Sequence, residues 1–176
     1  MKLNFLMVLK FKILRRLLIF EIIVANKKNK FMSKVEDFLT QEEEQEIVEA
    51  IRLAEKNTSG EIRVHLEKTT SIDTYDRAME VFHLLKMDET TLKNGVLIYL
   101  AVEDRTFVIC GDQGINDIVG HDFWDSTRDV MIAHFKEGNY KQGLVDGILR
   151  AGEQLKTHFP YQEGGTNELS NEISKG

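Results

Sequence analysis

With 176 residues, 42% of them apolar, and a single proline, the chain has material for one α/β-sized domain with a core of its own. Its charge is unevenly divided: residues 1–31 carry eight Lys and Arg against Glu21 alone, a net of +7, so the formal total of −6 leaves −13 on residues 32–176. A body that acidic repels nucleic acid and anionic membrane and suits cations, which excludes DNA and RNA as partners. The only cysteine, Cys110, lies inside an apolar run, so there is no disulfide framework or cysteine metal cluster, and the thiol reads as buried and structural.

Residues 1–31 form a separate segment. They are hydrophobic, but Lys10, Lys12, Arg15, Arg16 and Glu21 interrupt them every few residues, which is costly at a bilayer centre. A signal peptide fits poorly, since its apolar core is uninterrupted and ends at a small-residue cleavage site. Two readings stay open: a basic amphipathic helix on a membrane surface, or a stretch upstream of the true start at Met32. The second is the expectation, with a cytoplasmic location; membrane association follows only if residues 1–31 are present and act as an anchor.

Beyond Met32 the pattern becomes regular. Thr40-Gln41-Glu42-Glu43 is a capping box, and Ile47, Val48, Ile51 and Ala54 keep a helical stripe until Asn57-Thr58-Ser59-Gly60 stops it. Residues 61–67 alternate strictly, apolar at 62, 64 and 66, and predict a strand with one face on core. A helix follows with Ala78, Val81, Phe82 and Leu85 inward and Asp73 or Asp76 near its start. Residues 95–102 are nearly all apolar, as in a central strand buried on both sides. Strand, helix, strand implies a right-handed parallel crossover. The triplet Glu103-Asp104-Arg105 then makes residues 106–110 an antiparallel hairpin partner. After a loop over 111–121, Asp122 and Asp125 open a helix with Phe123, Val130, Met131 and Phe135 inward, ended by Gly138. A last helix over about 140–159 carries Gly143, Gly147 and Ala151 at four-residue spacing, which permits close packing. Residues 161–176 are polar and rich in Gly, Ser, Asn and Glu, and are expected to be a disordered tail. The fold class is α/β, a small mixed sheet with helices on both faces, and the domain spans 32–160.

Several of these stretches carry a resemblance. Thr58-Ser59-Gly60-Glu61-Ile62-Arg63-Val64, then Asn94-Gly95-Val96-Leu97-Ile98-Tyr99-Leu100-Ala101-Val102 with Asp104-Arg105, then Gly111-Asp112-Gln113-Gly114-Ile115, and finally residues 135–138 with Tyr140 and Gly143, resemble the TPM domain, in order and over about residues 38–160. The resemblance implies a three-layer α/β/α sandwich, divalent-cation binding (often calcium) in some members, and the weak acid phosphatase activity of a plant member. Many members also carry a signal peptide and a C-terminal membrane helix or glycine-rich tail; this chain resembles the short, soluble bacterial form.

Two groups of oxygens are candidate metal sites. If the first and central strands are parallel, residues 67–76 and Glu103-Asp104-Arg105 share one sheet edge, where open α/β sheets bind ligands. Asp73, Asp76, Glu103 and Asp104 are then candidate ligands, with Thr69, Thr70 and Ser71 supplying hydroxyls, for calcium or magnesium. The plainer reading makes Asp73 and Asp76 helix caps and the triplet a solvated turn. A second group, Asp112, Asn116 and Asp117, falls at the opposite edge near Asn94-Gly95 and Ser59-Gly60-Glu61, with Asp122 and Asp125 following. It lacks the alternate acceptors and sixth-position glycine of an EF-hand, and turn and capping roles account for it. It ranks second.

Familiar active sites are missing from the sequence: no G-x-S-x-G elbow, Walker A loop, H-E-x-x-H or G-x-G-x-x-G. The six-residue spacing of a cysteine phosphatase puts Asn116 where Arg is needed, and Asp104 is not followed by the second Asp of aspartyl-phosphate enzymes. The five histidines have no metal spacing, and His65, on the polar face of its strand, reads as a surface or packing residue. Two functions survive. One is a cation-binding module, binding or regulatory in role and open to a protein partner. The other is a metal-dependent phosphatase for phosphate monoesters, with Asp104 and Arg105 as its catalytic pair.

Overall fold

The structure, a computed structural model, describes residues 19–21, 35–120 and 122–176. Within the basic N-terminal segment only the strand β1, Ile19–Glu21, is described; the membrane-helix and upstream-start readings of residues 1–31 otherwise lie outside the described residues.

Helix α1, Gln41–Glu55, starts where the capping box predicts. The Thr40 hydroxyl accepts from the Glu43 N–H at 3.2 Å and the Glu43 carboxylate accepts from the Thr40 N–H at 2.8 Å, so two of the free donors of the first turn are satisfied. Strand β2, Glu61–Glu67, leads into helix α2, Thr74–Leu84, which Asp73 caps. Strand β3, Gly95–Ala101, is buried at every position and runs parallel to β2 in the register Glu61↔Gly95 through Glu67↔Ala101. Strand β4, Thr106–Gly111, returns antiparallel to β3, and β1 pairs antiparallel with β4.

Alternation along the strands separates two cores. Ile62, Val64, Leu66, Val96, Ile98, Leu100, Phe107 and Ile109 face α1 and two later helices, α4 (Asp125–Lys136) and α5 (Tyr140–His158). Leu97, Tyr99, Ala101, Val108 and Cys110 face Ala78, Val81 and Phe82 of α2, with Met87 beside them. The three layers and the mixed sheet are those expected. Close approach of α5 depends on its small residues: a Cβ on Gly143 would lie 2.5 Å from the Phe135 ring, one on Gly147 2.5 Å from Met131 Cγ, and one on Gly152 2.7 Å from Ala54 Cβ.

Three details differ from the pattern-based expectation. The loop after β4 contains a four-residue helix, α3, Gln113–Asn116, because Asp112 supplies its cap. Helix α4 begins at Asp125 with Trp124 at the capping position and no side-chain cap, so Asp122 does not cap it; Val130 is only half-buried and belongs to neither core. The later part of the polar segment 161–176, residues 168–176, runs along β2. Ser174–Lys175 form a short strand, β5, parallel to β2, and the sheet order is β1-β4-β3-β2-β5. Composition alone misses this because the segment is held by main-chain and polar hydrogen bonds rather than by core burial. No helix among the described residues is long and apolar enough to cross a membrane.

Candidate functional site

The parallel pairing of β2 and β3 brings residues 68–73 and 102–105 to one edge of the sheet. Main-chain bonds tie the two loops together: Val102 N–H donates to the Glu67 carbonyl at 2.9 Å and Glu103 N–H to the Lys68 carbonyl at 2.8 Å. Arg105 adopts a left-handed backbone, φ 54°, which closes the turn within three residues. Asp104 joins the loops. Its carboxylate accepts the Thr69 hydroxyl on both oxygens, at 2.8 and 2.9 Å, and the Thr70 N–H at 2.7 Å. Thr70 Oγ1 in turn donates to the Ile72 carbonyl at 3.1 Å.

The other members of the first group have structural duties. Asp73 caps α2 by accepting from the Tyr75 and Asp76 N–H groups at 3.0 and 3.3 Å, and Asp76 sits in the first helical turn. Glu103 lies 3.6 Å from Lys68. Asp104 is thus brought together with Thr69 and Thr70, and α2 begins at Thr74.

Directly behind this edge is a network that pattern reading missed. Glu67, at the end of β2, is buried; Arg77 Nε donates to both its oxygens at 3.0 Å and the Tyr99 hydroxyl donates at 2.5 Å. The Arg77 hydrogen bonds hold the Glu67 carboxyl below the usual carboxylate range, with the Tyr99 bond adding to the effect. Burial and the same carboxylate push the Tyr99 hydroxyl well above its ordinary value. His65 stacks on Tyr99 at 5.7 Å, is 4% exposed, and is driven down to about 4 by burial. The available signal was a phenol inside an otherwise apolar run, since a buried Tyr hydroxyl requires a partner; the chain distance to Arg77 and Glu67 hid which partner.

At the amino edge Asp112 lies where expected: its N–H donates to the Gly95 carbonyl at 2.9 Å, and Asn94 Nδ2 donates to the Ser59 carbonyl at 2.9 Å. Asp112 caps α3 through the Gln113 N–H at 2.7 Å, Asn116 donates to the Gly111 carbonyl at 2.9 Å, and Asp117 accepts from the Gln113 amide. Capping and turn bonds therefore account for most of this group. Two acceptors are left over: Asp112 Oδ2 and Asn94 Oδ1 are buried without a hydrogen-bond partner. Asp125 is ion-paired with Arg128 at 2.6 Å.

Among the described residues no three His, Cys, Asp or Glu side chains come together in a way that could hold a metal ion. Any cation at either edge would need hydroxyl, carbonyl or water oxygens beside one or two carboxylates. The Cys110 thiol is fully buried and pushed up to about 12, which removes it as a nucleophile.

Comparison with known proteins agrees with this architecture. The family model described as TPM domain matches residues 32–154. The solution structure of the BA42 protein from the psychrophilic bacterium Bizionia argentinensis is 67% identical, with a TM-score of 0.78 over 82% of this chain and 100% of that one. The N-terminal domain of a P. gingivalis protein (21% identity, TM-score 0.57, 69% of this chain and 79% of that one) has the same fold. So does the N-terminal domain of the cg2496 protein from Corynebacterium glutamicum (11% identity, TM-score 0.55, 87% and 94%). No curated protein matches significantly. With more than half its length covered by the family model, the chain belongs to the TPM domain family.

Proposed function

We propose that the domain is a divalent-cation-binding module, binding or regulatory in role, with calcium or magnesium held at the carboxyl edge of the β2–β3 pair. The observation that carries the reading is Asp104, one carboxylate that fastens both edge loops through Thr69 and Thr70. It supports a site whose remaining ligands are hydroxyl, carbonyl and water oxygens, a set that calcium accepts readily and that corresponds to weak binding. A cation shared between these loops would change how they sit over Glu67 and Arg77, which is how binding would be transmitted to a recognition surface. Calorimetric titration of the protein with calcium and with magnesium tests this. Asp104→Asn is expected to weaken calcium binding at least tenfold with the fold intact; unchanged affinity would remove the carboxyl edge from consideration.

The partnerless oxygens of Asp112 and Asn94 favour a second position at the amino edge, since buried acceptors without donors are where an ion or an ordered water belongs. Asp112→Asn separates the two positions in the same titration. Phosphate-monoester hydrolysis has less support. It would rest on cation-held water, with Arg105 steadying the developing charge, and Asp104→Ala would then abolish phosphate release.

A further inference from the structure

Strand β2 would be an open sheet edge but for residues 161–176, and the way this segment is held resembles a bound peptide more than a packed element. The Glu61 carboxylate accepts the main-chain N–H groups of Glu168 and Leu169 at 3.0 and 3.2 Å. Glu168 accepts the Thr91 N–H and hydroxyl at 3.0 and 2.8 Å, and Asn171 donates to Glu55. Further along, Ser174 Oγ lies 2.9 Å from His65 Nδ1, Lys175 Nζ is 2.5 Å from Glu44, and Gly176 N–H donates to the Leu66 carbonyl at 3.1 Å. Only Leu169 and Ile173 add apolar anchors, both partly buried. Between Tyr161 and Asn167 the segment arches away from the body over a cavity of about 610 Å³ bounded by Arg52, Lys56 and Leu92. Gly164, at φ +84° with open space around it, sits in that arch.

These contacts are those of strand addition, in which main-chain hydrogen bonds and a few side-chain positions do the recognising. β2 offers seven residues, yet β5 pairs with two of them, His65 and Leu66. The edge reads its occupant through side chains as well: Glu55 and Glu61 accept from the Asn171 amide and the main chain of the segment, Glu44 meets Lys175, and Arg52 lies 3.8 Å from Glu172.

We propose that the β2 edge is a docking site for an extended peptide in trans, and that residues 168–176 occupy it as an intramolecular stand-in. The partner is a strand with an aliphatic residue followed, five and six positions later, by a hydroxyl residue and a lysine, as Leu169, Ser174 and Lys175 are arranged. This inference is independent of the cation reading, whose residues lie at the end of the sheet. Because a tethered segment acts at an effective concentration on the order of millimolar, a free peptide competes poorly until the tether is loosened.

The test uses the full chain carrying Leu169→Asn and Ser174→Pro, which weaken the segment and leave its acceptor untouched. A fluorescent peptide of residues 167–176 is expected to bind this variant saturably and at least tenfold more tightly than it binds wild type, shifting the amides of Glu61–Glu67. The same peptide with Lys175→Glu is expected to bind at least tenfold more weakly. Absence of saturable binding by a variant whose β3 amides are unshifted, or equal affinity for variant and wild type, would overturn the proposal. A concentration-dependent wild-type dimer that the double substitution abolishes would give the edge to a second copy of this chain and overturn it equally. Amide exchange in the wild type needs no variant: Glu168, Leu169 and Gly176 are expected to exchange at least a hundredfold faster than β3, and exchange as slow as β3 would show the segment to be part of the core.

Discussion

Glu67 is where the domain commits a buried charge, and its partners make that charge tolerable. Arg77 compensates it and Tyr99 supplies the remaining donor. Removing Arg77 leaves the carboxylate buried and uncompensated, so Arg77→Ala is expected to lower unfolding free energy by about 3 kcal/mol, read by urea denaturation. Tyr99→Phe, which removes one hydrogen bond and leaves the ion pair, costs about 1–2 kcal/mol. Combining the two is expected to be non-additive, because both act on one carboxylate. None of these partners is visible in a local pattern: Glu67 is ten residues from Arg77 and thirty-two from Tyr99. What was legible was the separate oddity of each residue, a phenol in an apolar run and a carboxylate closing a strand, but not their convergence.

The same scale carries a pH dependence. Burial between α1 and β2 pushes Glu55 up to about 7, against hydrogen bonds from Ile62 N–H and Asn171 that act the other way. Since the folded value is raised, this group's contribution to stability is fully present below about 4.5 and is lost as pH rises through about 7. Glu55→Gln keeps the shape and removes the titration. Its stability relative to wild type is therefore expected to increase between pH 5 and pH 8, by ~1–2 kcal/mol after discounting for partial exposure. A constant difference across that range, measured by denaturation midpoints, would contradict the assignment.

At the scale of elements, periodicity was a dependable guide because it is a local property. Ile62, Val64 and Leu66 alternate onto one core, the fully buried β3 shows as a continuous apolar run, and the Thr40–Glu43 capping box lies within one helical turn. Small residues told more than composition suggested. Gly147 faces Met131 so closely that a Cβ would lie 2.5 Å away, and Gly147→Val is expected to force α4 and α5 apart at a cost of about 2–3 kcal/mol. Thermal unfolding reads this directly; an unchanged midpoint would mean that the helices separate freely. Where elements were misread, the cause was non-local. Residues 161–176 have the composition of a tail without a core, and composition does not register that Glu61 and Thr91 offer hydrogen bonds to the segment.

For the whole molecule, the sheet distributes its chemistry between its two ends and its side. One end holds Asp104 with its two threonines above the Glu67 network, the other holds the partnerless Asp112 and Asn94 oxygens, and β2 carries the returning segment. The placement of both oxygen groups at opposite edges followed from strand direction alone and is what the structure has. Which oxygens would serve a cation and which serve the backbone did not follow, because a capping aspartate and a ligand aspartate look alike in sequence. Asp73 and Asp112 both cap helices here, and Asp104 is the one that ties two loops.

The most direct test of the cation-binding account is a residue-resolved amide NMR titration with calcium and then magnesium at fixed ionic strength. The account predicts saturable shifts centred on Thr69, Thr70 and residues 103–105, reduced by Asp104→Asn. Saturable shifts confined to residues 111–117 would transfer the cation to the amino edge. No saturable shift at either edge up to about 10 mM calcium, beyond the range of weak extracellular-type sites, would contradict cation binding altogether.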